Sequence, residues 1–397
     1  MRRVISRKEA VELLASSGTI SFNKKRVGLA EAFGKRAGEP LKAPFDLPQL
    51  SRSTRDGYAV NHLDVKGVSE ALPAFLNVVG EVKIGEIPSF SISLGEAARV
   101  FTGSYLPNGA DAVVMDEFVE ESSGVIEVYR SVAAGENVIS AGEDCLQGST
   151  ILNFGEKISV GKLGLLAAYG FDSVNILDVK VGIVSTGDEI VSPGSQLSSG
   201  KIYDINSFTL YALLKKWGAN PYIHTPVPDD LEMLKKVLEE LLDNSDVIIF
   251  SGGSSVGTRD HTKELFKLFN GKLIIEGINI SPGKPTLAGW VKDKLVFGLP
   301  GHPVSSVVSA RVFLIPVIER ILGIDGEPVL YLPVLSNLPS KLGVEEFVCA
   351  SVNEKGVFPI LGKSGAISRI ANGGFLIKIP DGVEGYKEGE VVETWSI

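Results

Sequence analysis

Between residues 180 and 323, short apolar runs alternate with segments of helical periodicity, and this alternation constrains the fold more than any other feature of the chain. "KVGIVS" and "DVIIF" are unbroken apolar runs of strand length, as expected for strands buried on both faces. "NSFTLYALLKKWG" reads as a helix that opens on Asn206 as its capping residue and stops at Gly218. "PYIHT" follows as a strand. "DDLEMLKKVLEELL" sets Leu231, Leu234, Leu238, Leu241 and Leu242 on one helical face. "RDHTKELFKLF" reads as another helix, and "PTLAGW" and "KLVFGL" pair as strands across "VKDK". "HPVSSVVSARVFLIPVIERIL" closes the unit as a helix, with Pro303 suited to its first turn and Pro316 placed to kink it. The expected product is a mostly parallel sheet with helices on both faces.

The flanks read differently. "PAFLNVVGEVKIGE" and "GVIEVYRSV" have strand character broken by Gly and Pro, so the N-terminal half looks β-rich. From about residue 327, "EEFVCASV", "GVFPIL", "GFLIKIP" and "EVVETW" predict a small C-terminal β-domain or barrel. "MRRVISRKEAVELLASS" fits a short helix on Ala10, Val11, Leu13 and Leu14, not the continuous apolar core of a signal peptide. A chain of 397 residues implies two to four domains. Its net charge of −9 comes without a basic block, which argues against nucleic acid as the main partner. No run of about 18 apolar residues occurs, so no membrane span is expected. Two cysteines, Cys145 and Cys349, and four scattered histidines form no disulfide framework and no zinc spacing; a reducing cytoplasm is the expected setting.

In an open α/β sheet, ligands collect where strands end. Four loops are read as lying there: "STGDE", "SGGSSVGTRD", "SPGKPT" and "GLPGHPVSS", all rich in Gly, Ser, Thr or Pro. Gly252 and Gly253 remove Cβ atoms from the path of a ligand, and successive amides then form a concavity suited to phosphate oxygens. Ser251, Ser254, Ser255 and Thr258 add hydroxyl donors. The stretch is neither a Walker loop nor GxGxxG, and alone it fits a plain strand-to-helix turn as well as a phosphate cradle. Asp188, Glu189, Asp229 and Asp260 sit among these loops. Acids beside a phosphate imply a cation between them or a proton to be moved, and Mg²⁺ suits carboxylate and phosphate oxygens together. The plainer alternative is that Asp188 and Asp260 cap helices. Lys284 sits on a short loop stiffened by Pro282 and Pro285, and His302 stands at a helix start, where capping and catalysis are both open. In "SRSTRDGYAV", Arg52 and Arg55 flank Asp56, by spacing either an ion pair or a site.

Taken together and in order, "RSTRDGYAV", "TGSYLPNGADAVVM", "GENVISAGED", "STGDEI", "IYDINS", "SGGSSVGTRD", "SPGKPT" and "GLPGHPVS" resemble the MoeA-type molybdopterin molybdotransferase family. The resemblance implies an N-terminal linker and dimerisation region (residues 1–58 and 137–179) and a β-rich insert (59–136). It further implies a molybdopterin-binding α/β domain (180–325) and a C-terminal β-barrel (326–397). It implies a cytoplasmic homodimer whose site lies in a cleft between the α/β domain of one subunit and N-terminal domains of the other. The family's substrates are adenylylated molybdopterin and molybdate, with Mg²⁺ as cofactor; AMP is released as molybdenum enters the dithiolene.

By motif match, Asp56, Thr102, Glu189, Asp229 and Asp260 carry over as catalytic residues. Asp144, Lys284, Pro300, Pro303 and Ser364 carry over as substrate-binding ones, and the amides of Ser251, Gly252, Gly253, Ser254, Ser255 and Gly257 are assigned to hold the pyrophosphate. Asp188, Glu189 and Asp260 are the expected metal ligands. Ser281 and Gly277 stand where family members often have lysines, and His302 where Asn is common, which leaves tungstate open in place of molybdate. Two other functions stay in view, molybdopterin adenylylation and a gephyrin-like scaffold. Gephyrin-like proteins fuse an extra adenylyltransferase domain and a linker, for which no segment is found here.

Overall fold

The computed structural model describes residues 4–252 and 256–397, with the side chains of 256–260 outside the description. The chain divides into two units. One comprises Met1–Glu39, Asn153–Gly164 and Phe171–Ile397; the other comprises Pro40–Leu152 and Leu165–Gly170.

The first unit is organised by a six-stranded sheet in the order Asn220–Ile223, Lys180–Thr186, Val247–Gly252, Lys294–Leu299, Leu287–Val291, Lys272–Glu276. The first four strands run parallel, with Val181 opposite Val247 and Val247 opposite Leu295; the last two pair antiparallel. Successive residues point to opposite faces, and both faces are covered. Val181, Ile183, Ile249 and Phe297 pack with Leu210, Leu214, Val304 and Phe313. Ile248, Phe250 and Val296 pack with Leu234, Leu238, Leu265 and Phe266. Each such fully buried Leu, Ile, Val or Phe contributes about 1.5–3 kcal/mol.

The helix Leu231–Asn244 buries Leu234, Val237, Leu238, Leu241 and Leu242. Asp230 caps it, its carboxylate accepting from Met233 N at 2.9 Å. The helix Asn206–Trp217 ends on Gly218 in the left-handed region at φ 114°. Asn206 is not its cap: Ile205 holds that place without a side-chain bond, and Asp204 accepts from Ser207 N at 3.0 Å instead. The closing segment runs α-helical over Pro303–Ser309, π-helical over Ala310–Leu314 and α-helical again over Ile315–Leu322. Pro316 has no N–H, so its expected effect takes the form of this wider turn. The carbonyl of Val312, four residues before it, accepts from Arg7 Nη1 at 3.3 Å. Arg7 opens the N-terminal helix Arg7–Ser16, which buries Ala10, Val11 and Leu14; Leu13, expected on that face, is exposed.

The C-terminal sheet orders Ile280–Ser281, Glu345–Asn353, Phe375–Ile379, Val391–Ser396 and Leu330–Pro333, with Gly356–Pro359 paired to Glu345–Asn353. A bridge between Val334 and Val357, with Leu335 N donating to Val357 O at 2.9 Å, joins the two ends of this run. Closure of that kind leaves few unpaired edges. The second unit holds its own sheet, Ala112–Met115, Gly57–Val60, Glu96–Val100, Ala74–Val82, Val125–Val128, Val119–Ser122, around Tyr58, Val60, Leu76, Val114 and Ile126. No helix of the described residues is long and apolar enough to cross a membrane.

Candidate functional site

The parallel strands Lys180–Thr186, Val247–Gly252 and Lys294–Leu299 end at one edge of the first unit's sheet. The Ser281–Thr286 loop reaches the same edge by another route. It does not leave a strand of this sheet; it runs from Ile280–Ser281 of the C-terminal sheet into the antiparallel strand Leu287–Val291, whose Leu287 lies opposite Gly298. Only two of the four loops lead straight into a helix. "STGDE" instead leads to a strand, Ile190–Val191, paired in parallel with Ile202–Tyr203. Asp188 therefore caps no helix: its carboxylate accepts from Asp229 N at 3.2 Å, which draws two of the predicted acids together.

Beneath the strand ends lies a buried polar floor of which sequence reasoning assigned only Ser251, as a hydroxyl donor to ligand; that hydroxyl is instead buried and bonded within the floor. Ser185 Oγ donates to Asp204 Oδ1 at 2.6 Å and meets Ser207 Oγ at 2.9 Å. Asn206 Nδ2 donates to Ser251 Oγ at 3.0 Å and to Gly301 O at 2.8 Å, and Ser251 Oγ meets Ser306 Oγ at 3.2 Å. Ser185, Asp204, Asn206, Ser207, Ser251 and Ser306 are all buried. The one available signal was "IYDINS", three polar residues packed into a helix start, where buried polar groups must find partners. Gly252 is needed for close approach: a Cβ there would fall 2.0 Å from Thr186 O and 2.1 Å from Thr186 Oγ1.

Of the predicted substrate-binding residues, Ser251, Gly252, Pro300 and Pro303 stand on this edge, and Lys284 is exposed on its loop. Ser364 joins them from the C-terminal sequence: its Oγ shares a hydrogen bond with His302 Nδ1 at 3.1 Å, and its carbonyl accepts from Val304 N. His302 thus makes no side-chain cap on its helix. Asp188 and Glu189 are exposed. Gly253, Ser254 and Ser255 lie outside the described residues, as do the side chains of Thr258 and Asp260; the backbone of Gly257 and Asp260 belongs to the helix Val256–Leu268. Among the described residues no three His, Cys, Asp or Glu side chains converge as a metal site. A cavity of about 560 Å³, lined by Arg36, Phe154, Lys157, Ile324 and Glu327, belongs to the same unit but shares no residue with these loops.

Asp56 and Thr102 meet in the second unit. Asp56 Oδ1 accepts from Thr102 N at 2.7 Å and from Thr102 Oγ1 at 2.9 Å. The backbone N–H, then the hydroxyl and Arg99, hold the Asp56 carboxyl below the usual carboxylate range. Its hydrogen-bond partner is Thr102, not the flanking Arg52 or Arg55. Arg99 pairs with Asp116 and lies over the Tyr58 and Phe101 rings. Asp144 is exposed, its N–H donating to Leu47 O at 3.0 Å.

The sheet covered by helices on both faces, the glycine-bearing strand exit and the closed C-terminal sheet define a multidomain α/β protein. Family models described as "MoeA N-terminal region (domain I and II)", "Probable molybdopterin binding domain" and "MoeA C-terminal region (domain IV)" match residues 5–170, 182–320 and 331–397. A Methanocaldococcus jannaschii protein named for molybdopterin biosynthesis is 39% identical over 381 residues, 94% of this chain and 92% of its own length. A Staphylococcus aureus molybdopterin molybdenumtransferase is 28% identical over 407 residues, 99% of this chain and 95% of its own. The crystal structure of a molybdopterin biosynthesis MoeA protein from Pyrococcus horikoshii superposes with a TM-score of 0.83 at 29% identity, covering 100% of both chains. The chain belongs to the MoeA family of molybdenum cofactor biosynthesis.

Proposed function

We propose that this protein is a molybdopterin molybdenumtransferase: it takes adenylylated molybdopterin and molybdate, hydrolyses the pyrophosphate link, releases AMP and places molybdenum in the dithiolene. The observation that carries the reading is the strand-end edge, where a glycine-bearing exit on a buried polar floor stands with Asp188 hydrogen-bonded to Asp229 N. Backbone amides at such exits suit a diphosphate, and nearby carboxylates suit an oxyanion only through a cation or a proton. In this reading residues 251–257 and Lys284 hold the diphosphate, Pro300, Pro303 and Ser364 shape the adjoining wall, and Asp229 and Asp260 handle the attacking water.

The donor set fits Mg²⁺ bound through one or two carboxylates. Asp188 and Glu189 would hold it, with the remaining ligands from substrate phosphate and water, because that ion keeps several waters and seldom occupies an all-protein cage. When bound, Mg²⁺ would neutralise charge developing on the pyrophosphate oxygens. The protein acts as a cytoplasmic homodimer, with Asp56, Thr102 and Asp144 acting on substrate from the second copy.

The test is AMP release from adenylylated molybdopterin with molybdate, with tungstate and with neither. Release that depends on molybdate supports the reading, and preference for tungstate changes the oxyanion. Formation of adenylylated molybdopterin from ATP and molybdopterin, with no oxyanion dependence, overturns it. Asp260→Ala should lower turnover by about 10²–10⁴-fold, the range for a positioned acid–base group; normal turnover removes Asp260 from the mechanism.

A further inference from the structure

We propose that Asn206 is a positioning residue that fixes the spacing of two neighbouring strand exits, and through it the grip on the substrate's diphosphate; the inference rests on the functional reading above. Asn206 is the first residue of the helix Asn206–Trp217, and its side chain is buried. It has no local task, because Asp204 receives Ser207 N at the helix start. Both hydrogen bonds of its Nδ2 go elsewhere, to Ser251 Oγ at the end of Val247–Gly252 and to Gly301 O just after Lys294–Leu299. Ser251 continues the tie to Ser306 in the first turn of the next helix.

One amide therefore clamps the glycine-bearing exit to the loop that carries Pro300 and Pro303. The exit has no slack on its other side, where Gly252 lies against Thr186. A shift of Ser251 or of Gly301 moves the strand ends against which the diphosphate would lie, so the residue acts on binding without touching the ligand. Of the two acceptors the Ser251 hydroxyl can also donate, whereas the Gly301 carbonyl cannot and requires a donor. A carboxylate of the same shape supplies none until it is protonated.

The experiment titrates the full-length protein, its Asn206→Asp variant and its Asn206→Ser variant with inorganic pyrophosphate by calorimetry, with thermal melting of each as a check of folding. At neutral pH both variants should remain folded and bind pyrophosphate about tenfold more weakly than wild type, the scale of one or two hydrogen bonds. As pH falls, the Asn206→Asp deficit relative to wild type should shrink, because the protonated carboxyl regains an O–H donor; the Asn206→Ser deficit should not. Among the described residues, the groups facing these exits that also titrate are Asp188, Glu189, Asp204, Asp229 and His302, all present in the wild-type control. If Asn206→Asp fails to fold, the Asn206→Ser affinity decides. Folded variants that bind like wild type overturn the inference, and so does an Asn206→Asp deficit that persists at low pH. A wild type that binds no pyrophosphate overturns the functional reading, and the inference with it.

Discussion

Asp56 illustrates what one neighbour does to one side chain. Thr102 donates both its N–H and its hydroxyl to the same carboxylate oxygen, favouring the ionised form. A carboxyl depressed in the fold contributes stability above its unfolded value, near pH 4, and that contribution is lost as pH falls through the lower folded value. We expect an NMR titration of the Asp56 carboxyl carbon to have its midpoint below that of an ordinary Asp. Thr102→Val should raise the midpoint without restoring the ordinary value, since the backbone N–H remains; an unmoved midpoint would rule out a contribution from the hydroxyl. Gly252 is the second residue whose surroundings dictate its identity. In Gly252→Ala the new methyl meets the Thr186 carbonyl, so strand or loop must move at a cost of about 1–3 kcal/mol. Urea denaturation measures it, and a variant as stable as wild type would mean the exit can yield.

At the scale of elements, local pattern predicted most of what formed. The leucine face of Leu231–Asn244, the apolar strands Lys180–Thr186 and Val247–Gly252, and Pro303 in a first helical turn depend on neighbours a few residues away. The misses depend on distant partners. Asn206 reads as a cap until Ser251 and Gly301 claim its amide, and His302, open between cap and catalysis, holds the N-cap position while its ring meets Ser364. Pro316 is the clearest case, since the carbonyl it leaves unpaired is served by Arg7, 305 residues from Val312. Arg7 also binds Glu345 through Nε at 2.7 Å and Nη2 at 3.1 Å, and lies over the Phe347 and Trp395 rings. Arg7→Met keeps the apolar stem but leaves the Val312 carbonyl and the Glu345 carboxylate short of donors. Lys378, 4.0 Å from Glu345, offsets part of that loss. The expected cost is about 2–3 kcal/mol in denaturant unfolding, with partial recovery in Arg7→Met/Glu345→Gln; full stability of the single variant would show that the π-helical turn needs no outside donor.

The path of the whole chain is set by which distant segments share a core. The chain passes between the two units after Glu39, Leu152, Gly164 and Gly170, and only the first of these falls in a Gly- and Pro-bearing stretch, "GKRAGEPLKAP". Leu165–Gly170 completes the helix Val160–Ala168 yet belongs with Pro40–Leu152, where Tyr169 packs edge-on against Phe45 at 5.1 Å between ring centroids. What the sequence does carry at this scale is separate sets of apolar strands with their own interiors, two of which fall in different units. Ile126 is fully buried among Tyr58, Leu76 and Val114 in one unit, and Leu238 among Ile248, Phe250 and Val296 in the other. A cavity weakens the core that surrounds it, by about 2–5 kcal/mol for a large aliphatic side chain cut to Ala. Chains with more than one core commonly unfold in more than one step. Scanning calorimetry of the wild type should therefore resolve two transitions, with Ile126→Ala lowering one and Leu238→Ala the other. If either variant lowers the entire profile as a single transition, the two interiors melt as one and the division of the chain has no energetic meaning.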